Sequence, residues 1–318
     1  MEKPTSNALH VIFGTGPVGC WIAKVLRKLN IPVRAVNRSG RRPNLIPTDV
    51  EIIATDASDT TKAIVAAEGT SVIYQALNPP YHQWHKYFPG LQTGALAAAK
   101  ATGARYVSIE NLYMYDSSKP INEDSPIAPR SKKGQLRARM ADELMTAHER
   151  GDIHVAVLRS SDYYGPGVLG SALGEMVFGN LVSGKKAQVS GSADMPHSFA
   201  YVEDVAQAAA ILGTHEASFG KVWIAPHAPA LTQREIVEKI CRVLNIKAQM
   251  TVVSPLMMRI VGLFIAGARA SVEMMYAFTE PFVVDSNRIQ QTFALEPTPV
   301  DVGIERTVSW YKKIANKK

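Results

Sequence analysis

The chain has 318 residues, of which 46% are hydrophobic and 20% are charged, and its formal net charge is +7. These values are ordinary for a globular protein of one large domain or two small ones, and they exclude a chain that is too polar to form a hydrophobic core. The two cysteines, Cys20 and Cys241, lie in apolar helix-like segments, so neither a disulfide framework nor a cysteine metal site is predicted.

The first predicted strand, residues 8–13, leads directly into the glycine spacing G-x-G-x-x-G. Gly14 allows a tight turn, Gly16 has no Cβ to block a pyrophosphate, and Gly19 lets a helix pack close to the sheet. Residues 20–29 have the apolar spacing of that helix, whose N-terminal N–H groups favour phosphate. We therefore predict a dinucleotide-binding turn, the alternative being a glycine turn without a ligand. The predicted cofactor residues of the turn are Gly14, Thr15, Gly16, Pro17, Val18 and Gly19.

The second predicted strand, residues 32–38, ends where an acidic residue would hold the ribose 2′-hydroxyl of NAD. The chain has Asn37 at this point and Arg38 beside it, with Arg41 and Arg42 a few residues further on. A carboxylate would repel a 2′-phosphate, whereas a guanidinium pairs with it. The pattern therefore predicts that Asn37 and Arg38 favour NADP, the alternative being a solvated basic loop.

Strand-like and helix-like segments continue to alternate through the first half of the chain. Further strands are predicted at 50–54, 71–76, 104–109 and 153–159, and long helices at 84–102 and 131–150. Such alternation indicates an α/β fold, a doubly wound parallel sheet of the Rossmann kind with helices on both faces. Ligands of such sheets bind beyond the carboxyl ends of the strands.

The regular alternation ends near residue 165. We predict a dinucleotide-binding core in residues 1–165 and a smaller substrate-binding lobe in residues 166–318, with residues 200–225 returning to the core. In the lobe, residues 260–268 are the most membrane-like stretch, but nine residues between two arginines are too few to cross a bilayer. We interpret this stretch as a buried helix or a wall of a substrate cavity.

Several motifs occur in the order that is typical of one enzyme family. After the glycine turn they are Asp56, Gln75-Ala76-Leu77-Asn78, the run 158–167 and the run 197–206. With these motifs the sequence resembles, over nearly its whole length, the extended short-chain dehydrogenase/reductase family, the group of NAD-dependent epimerases and dehydratases. The resemblance implies that Asp56 lies near the adenine and that Ala76, Leu77 and Asn78 lie beside the cofactor.

The catalytic part departs from the family pattern. The family uses a Ser or Thr after the fifth strand and a Tyr-x-x-x-Lys pair on the next helix. Matching Tyr115 to the family's tyrosine at the end of the post-strand segment puts Asn111 at the place of the hydroxyl. In the next helix, Lys133 falls at the place of the family tyrosine and Arg137 at that of the lysine. One Tyr-x-x-x-Lys does occur, from Tyr115 to Lys119. It precedes a proline in a predicted loop, where its side chains have no reason to share a helix face.

Hydride transfer to a carbonyl needs a group that stabilises or protonates the developing oxyanion. We predict that Tyr113 and Lys133 meet this oxygen, that Asn111 orients the carbonyl, and that Arg137 holds the nicotinamide ribose. Arg137 is a poor general acid because a guanidinium does not deprotonate. The alternative is that these four residues are ordinary polar groups of a loop and a helix.

Aromatic residues and a histidine mark the predicted substrate side. Tyr81 and Trp84 follow the fourth strand, while Tyr164 and His197 lie in segments that flank the substrate cleft in the family. For His197 a structural role is the alternative. Two further histidines beside Trp84 have no third ligand nearby in the sequence, so no metal site is predicted.

Together these patterns predict an NADP-dependent oxidoreductase, a reductase or dehydrogenase that acts on a small, fairly apolar carbonyl compound or alcohol. Two alternatives stay open: a nucleotide-sugar epimerase or dehydratase, whose reactions rely on the missing tyrosine, and a non-catalytic NADP-binding sensor. We expect a small-molecule substrate and neither a nucleic-acid nor a membrane partner, since no recognition motif accompanies the positive charge. Whether the protein forms a homodimer is left open by the sequence. Residues 1–7 lack the apolar core of a signal peptide, so a cytoplasmic location is expected.

Overall fold

The computed structural model describes residues 8–316, and a seven-stranded sheet lies at its centre. Its strands are β1 (Leu9–Phe13), β2 (Val33–Asn37), β3 (Glu51–Ala54), β4 (Thr70–Gln75), β5 (Arg105–Asn111), β6 (Val155–Ser160) and β11 (Lys221–Ile224). They lie in the order β11-β6-β5-β4-β1-β2-β3, and β1 pairs in parallel with both β2 and β4. From β1 the chain continues to β2 and β3 at one side of the sheet, and from β4 it continues to β5 and β6 at the other side. Because the crossovers are right-handed, the helices of the two halves lie on opposite faces of the sheet. The predicted doubly wound α/β fold is thus confirmed.

The other strands of the described chain are short and pair two by two outside the central sheet. They are β7 (Tyr163–Tyr164), β8 (Ala187–Ser190), β9 (Pro196–His197), β10 (Ala200–Tyr201), β12 (Leu231–Thr232) and β13 (Met250–Val253). The first six helices are α1 (Pro17–Lys28), α2 (Thr60–Ala66), α3 (Trp84–Thr102), α4 (Lys132–Glu149), α5 (Asn180–Val182) and α6 (Val202–Thr214). The other six are α7 (Gln233–Leu244), α8 (Pro255–Gly262), α9 (Ala266–Ser271), α10 (Tyr276–Thr279), α11 (Asn287–Phe293) and α12 (Val300–Ala315).

The described chain divides into two compact units, each with its own core. The first unit comprises residues 8–111, 135–159 and 205–223, and the second comprises 112–134, 160–204 and 224–316. Aliphatic side chains of the central strands and alanines of α2 and α3 fill the core of the first unit. Aromatic rings, among them those of Tyr164, Phe178 and Tyr311, fill the core of the second unit. The domain division predicted at residue 165 stays a prediction.

The predicted strands agree with the observed ones to within two residues at each end. The sequence pattern succeeds here because a strand covered on both faces reads as a continuous apolar run. All six residues of β6 are buried, as such a run requires. The predicted helix at 84–102 is α3, and the one at 131–150 is α4.

The interpretation of residues 260–268 as a buried helix or cavity wall is wrong. These residues form the end of α8, a turn and the beginning of α9, and Leu263, Phe264 and Ile265 in the turn are exposed. Apolar composition does not determine whether another element covers a helix, and α8 packs on α9 instead. No helix within residues 8–316 is both long enough and apolar enough to cross a membrane.

Candidate cofactor and active site

The three glycines of the turn after β1 meet different surroundings. Gly14 has a φ of +104°, and a Cβ there would lie 2.6 Å from the carbonyl oxygen of Ala76. A Cβ on Gly19 would collide with the carbonyl oxygen of Gly14. A Cβ on Gly16, in contrast, would have no heavy atom within 4 Å. The protein's own backbone therefore requires glycine at 14 and 19, whereas a side chain at position 16 would meet only open space.

That open space lies at the N-terminus of α1. Gly16 is the N-cap residue, makes no side-chain capping hydrogen bond, and is followed by Pro17 at the start of the helix. The first turn of α1 carries no acidic residue. Since the first N–H groups of a helix have no partner within it, and the helix dipole is positive there, the site fits an anion such as a pyrophosphate.

Asn37, at the carboxyl end of β2, organises the loop that follows and links it to the glycine turn. Its Oδ1 accepts hydrogen bonds from the N–H of Gly40 (2.7 Å) and of Ser39 (3.1 Å). Its Nδ2 donates to Oγ1 of Thr15 and to the carbonyl oxygen of Arg41, both at 2.9 Å. The position therefore carries a neutral amide, and this end of β2 lacks the carboxylate that would hold a ribose diol.

The basic side chains of this loop differ in their environments. Arg38 is exposed. Hydrogen bonds from the hydroxyl and the N–H of Ser58 lower the pKa of Asp56 most strongly, and the charge of Arg38 lowers it further. Arg42 donates to the carbonyl oxygens of Pro47 (2.8 Å) and Val50 (2.7 Å). Arg42 therefore holds the backbone between β2 and β3, which leaves Arg38 as the stronger candidate for a 2′-phosphate.

The segment after β4 lies directly beside the glycine turn. The N–H of Ala76 donates to the carbonyl oxygen of Phe13 (2.8 Å), so Ala76 and Leu77 border the turn that follows β1. Further along, Trp84 is buried, donates from its indole to the carbonyl oxygen of Pro79 (2.8 Å), and stacks edge-on against Tyr81. This environment favours a packing role for Trp84. Asn78 is exposed and Tyr81 is half-buried.

A buried ionic cluster lies at the carboxyl ends of β5 and β6. Glu110 faces Arg137, with an Oε1–Nη2 distance of 3.4 Å, and Arg159, with an Oε2–Nε distance of 3.1 Å. The Arg137 guanidinium also lies over the ring of Phe88, 4.5 Å from its centroid. Arg137 is only 1% exposed, so its predicted contact with the ribose stays a prediction while its contact with Glu110 is observed. Sequence reasoning missed Glu110, although it directly precedes the singled-out Asn111.

The buried Lys133 forms an ion pair with the half-buried Glu273 in the second unit. Its Nζ donates to Oε1 of Glu273 (2.6 Å) and to the carbonyl oxygen of Ala270 (2.7 Å). Burial alone would raise the pKa of Glu273, but hydrogen bonds and charge from Lys133, with the N–H of Lys132, lower it overall. Glu273 therefore caps the first turn of α4 and pairs with Lys133, whose correspondence to the family tyrosine stays a prediction. No sequence signal linked Glu273 to Lys133, which it follows by 140 residues.

The other predicted catalytic residues, Asn111 and Tyr113, precede α4 in the sequence. Asn111 ends β5 and is half-buried, and Tyr113, in the second unit, is buried. A Cβ on Gly134 would collide with the carbonyl oxygen of Tyr113, so glycine at 134 lets α4 begin against this backbone. Residues 115–119 form no helix, so the single Tyr-x-x-x-Lys lacks helical geometry, as the proline predicts.

The predicted substrate residues of the second unit lie in its packed interior. His197 contacts Asp162 (Nε2 to Oδ2, 3.1 Å) and the carbonyl oxygen of Ala277 (Nδ1, 2.9 Å), and it stacks on Phe278. Tyr164 is buried among aromatic rings, and this burial raises its pKa. Both environments favour structural roles, and contact of either residue with a substrate stays a prediction.

The buried His227 was missed by the sequence analysis. His227 lies with Nε2 3.0 Å from Oγ of Ser161 and Nδ1 2.6 Å from the carbonyl oxygen of Ala225. Burial lowers the pKa of His227 to about 4, so its ring is neutral at pH 7. Among the described residues there is no group of three or more His, Cys, Asp or Glu side chains arranged to hold a metal ion.

The fold and the glycine turn define an α/β protein of Rossmann topology, with the phosphate-accepting geometry of that class. Residues 11–224 match the NAD dependent epimerase/dehydratase family, and the chain therefore belongs to this family. The family resemblance inferred from the sequence motifs is confirmed. No curated protein matches the sequence.

Solved structures similar to this chain share its fold at low sequence identity. One is dTDP-glucose 4,6-dehydratase from Bacillus anthracis in complex with NAD, with a TM-score of 0.79 and 16% identity over 96% of this chain and 97% of that one. Another is UDP-glucuronic acid 4-epimerase from Bacillus cereus with UDP-glucuronic acid and NAD, with a TM-score of 0.78 and 16% identity over 96% and 99%. A third, an epimerase from Methanothermobacter thermautotrophicus, has a TM-score of 0.82 and 15% identity over 98% and 94%.

Proposed function

We propose that this protein is a nicotinamide-dinucleotide-dependent enzyme that acts on a nucleotide sugar, as an epimerase or dehydratase. The family supports the dinucleotide, and the named substrates of two similar structures support the sugar. When bound, the nicotinamide accepts and returns a hydride. The observation that carries the proposal is the open space at Gly16 where it coincides with the N-terminus of α1, in the glycine turn after β1.

The residues of the first unit bind and orient the dinucleotide in this proposal. The N–H groups at the start of α1 receive the pyrophosphate, with Gly16 leaving room for it. Asp56 lies toward the adenine, Ala76, Leu77 and Asn78 toward the nicotinamide, and Arg137 toward its ribose. Arg38 pairs with a 2′-phosphate, so the preferred form is NADP.

The proton chemistry must differ from that of the family, because the family tyrosine is replaced by Lys133. A group near the reacting oxygen has to take or give its proton, or stabilise its charge. We propose that Tyr113 and Lys133 do this and that Asn111 orients the oxygen. The carboxylate of Glu273 positions the Lys133 ammonium.

A second candidate function is an NADP-dependent reductase of a small, fairly apolar carbonyl compound. The absence of the tyrosine on which sugar epimerases rely, together with Arg38 after β2, favours it. A tightly bound dinucleotide in the purified protein distinguishes the two, because an enzyme that returns its hydride to the same sugar needs to keep its cofactor.

The deciding experiment measures turnover of UDP- and dTDP-sugars and of a panel of small carbonyl compounds, with NAD(H) and NADP(H). We expect conversion of a nucleotide sugar by the wild type, and a loss of about a hundredfold in turnover for Tyr113→Phe and for Lys133→Ala with cofactor affinity unchanged. Near-native turnover by both variants contradicts the proton-transfer assignment. If the protein binds the cofactor but converts none of these compounds, the proposed enzymatic function is replaced by that of a non-catalytic dinucleotide sensor.

A further inference from the structure

The most exposed apolar surface of the described chain lies on one helical hairpin. This α8–α9 hairpin, residues 254–271, exposes seven large apolar side chains within ten consecutive residues. They are Leu256, Met257, Ile260, Val261, Leu263, Phe264 and Ile265. Phe264 is 86% exposed, Leu263 73% and Leu256 65%. Single exposed apolar residues are common, whereas a contiguous group of this size marks an interaction site.

Local contacts fix the conformation of the hairpin that exposes these side chains. Ser254 caps α8 through the N–H of Met257 (3.3 Å), and a Cβ on the buried Gly262 would lie 2.8 Å from Cα of Arg269. Glycine at 262 therefore allows α8 and α9 to approach closely. The turn keeps its backbone hydrogen bonds, because the N–H of Phe264 and of Ile265 both donate to the carbonyl oxygen of Val261, at 3.1 and 3.0 Å. Such a turn can enter a region poor in water without leaving these amide groups unsatisfied.

The stretch of sequence that contains the exposed apolar surface, residues 239–272, carries charged residues of one sign only. Residues 239–272 contain no Asp or Glu but include five cations: Lys239, Arg242, Lys247, Arg259 and Arg269. Arg259 and Arg269, which flank the turn, are both exposed. Lys239 is paired with Asp301 outside this stretch. The surface that meets the hairpin must therefore be apolar at the tip and anionic around it.

The charge of this stretch argues against a second copy of the chain as that surface. In a twofold contact through the hairpin, each arginine would face cations of the partner copy with no carboxylate of residues 239–272 to offset them. The boundary between anionic headgroups and acyl chains offers both properties in the required order. The shortness of residues 260–268 excludes crossing the bilayer, but it does not exclude lying at its surface.

We propose that the α8–α9 hairpin attaches the protein to an anionic membrane surface by inserting its tip below the headgroups. Leu263, Phe264 and Ile265 enter the acyl boundary, while Arg259 and Arg269 pair with lipid phosphates. The attachment is peripheral and reversible, because the inserted surface is small. It also brings the enzyme to the membrane independently of which substrate it converts.

The experiment is flotation of the full chain with vesicles of phosphatidylcholine alone or with added phosphatidylglycerol. We expect at least about tenfold tighter binding to the anionic vesicles, weakened by high salt. The double variant Leu263→Glu with Phe264→Glu should lose binding by about tenfold or more. Val65→Glu, which alters a side chain of α2 that is 57% exposed, should bind as the wild type does. Arg259→Gln with Arg269→Gln should lose the preference for anionic vesicles.

A second measurement reads insertion directly. In Phe264→Trp the added indole should shift its emission to the blue with anionic vesicles and be quenched by bromine on the acyl chains. Failure of the wild type to float with anionic vesicles overturns the proposal, as does flotation that the double variant leaves unchanged. A dimer in solution that the double variant dissociates would also overturn it, since the hairpin would then be a contact between two copies.

Discussion

At the scale of single residues, Gly16 is the clearest test of the proposed cofactor site. Its neighbours Gly14 and Gly19 are fixed by close contacts with the protein's own backbone, but Gly16 is not. A substitution at position 16 therefore separates binding from folding, which substitutions at 14 or 19 cannot do.

We expect Gly16→Val to abolish dinucleotide binding while the protein stays folded. The new side chain fills the space at the start of α1 without meeting protein atoms. Calorimetric titration with NADPH and NADH, together with a thermal unfolding curve, measures both properties. Gly14→Ala serves as the opposite control, because the positive φ and the contact with Ala76 should cost about 1–3 kcal/mol of stability. Wild-type affinity in a folded Gly16→Val protein would show that the cofactor lies elsewhere.

Arg38 should determine the choice between the two dinucleotides. Removing a guanidinium that pairs with a 2′-phosphate should weaken NADPH binding by about 1.5–3 kcal/mol and leave NADH binding nearly unchanged. Titration of Arg38→Ala with both cofactors measures the difference. Arg42→Ala is the matched control, because Arg42 donates to the backbone carbonyl oxygens of Pro47 and Val50. Equal losses for NADPH and NADH in Arg38→Ala would remove the basis for NADP preference.

At the scale of elements, β5, β6 and α4 meet around one buried carboxylate. Glu110 ends close to two guanidinium groups, so replacing it leaves two buried cations without their shared anion. We expect Glu110→Gln to lower the free energy of unfolding by about 3–5 kcal/mol, as measured by urea denaturation. Glu51→Gln, which removes the half-exposed partner of Arg34, should cost no more than about 1 kcal/mol. Similar losses for the two variants would show that burial of the cluster is unimportant.

At the scale of the whole molecule, the stability that His227 contributes should fall as the pH is lowered from about 7 to 4. The pKa of His227 is about 4 in the folded protein, below the ordinary value of 6.5. The unfolded chain therefore takes up a proton first. The stability due to the neutral ring is complete above pH 6.5 and is lost as the pH falls toward 4, by about 3 kcal/mol for this site.

The variant His227→Gln tests this origin of the acid sensitivity. It should be less stable than the wild type at pH 7, because one amide cannot reproduce both contacts of the ring, but its stability should decline less on acidification. His82→Gln, at an exposed position, should keep the wild-type slope. A slope unchanged by His227→Gln would assign the acid sensitivity to other groups.

Local patterns predicted the fold well because they report what each segment must bury. The alternation of apolar runs and the glycine spacing located β1 to β6 and the turn at Gly16. The same patterns did not identify Glu273 as the partner of Lys133, since such pairs depend on how distant segments meet. The sequence patterns also failed for residues 260–268. Apolar spacing indicates that a surface can be buried, but it does not show which element, if any, packs against that surface.

The contact between Lys133 and the segment that ends the hairpin has a thermodynamic consequence. The carbonyl oxygen of Ala270, within α9, and the carboxylate of Glu273 both accept hydrogen bonds from its ammonium. Displacing α9 from this position requires breaking the bond to Ala270, and the bond to Glu273 breaks as well if residue 273 moves with it. Any surface that binds the hairpin more tightly with these contacts either intact or broken shifts the population of Lys133 between the two states by that difference in affinity. By reciprocity, a ligand that draws Lys133 away from Glu273 changes the affinity of the hairpin by the same factor.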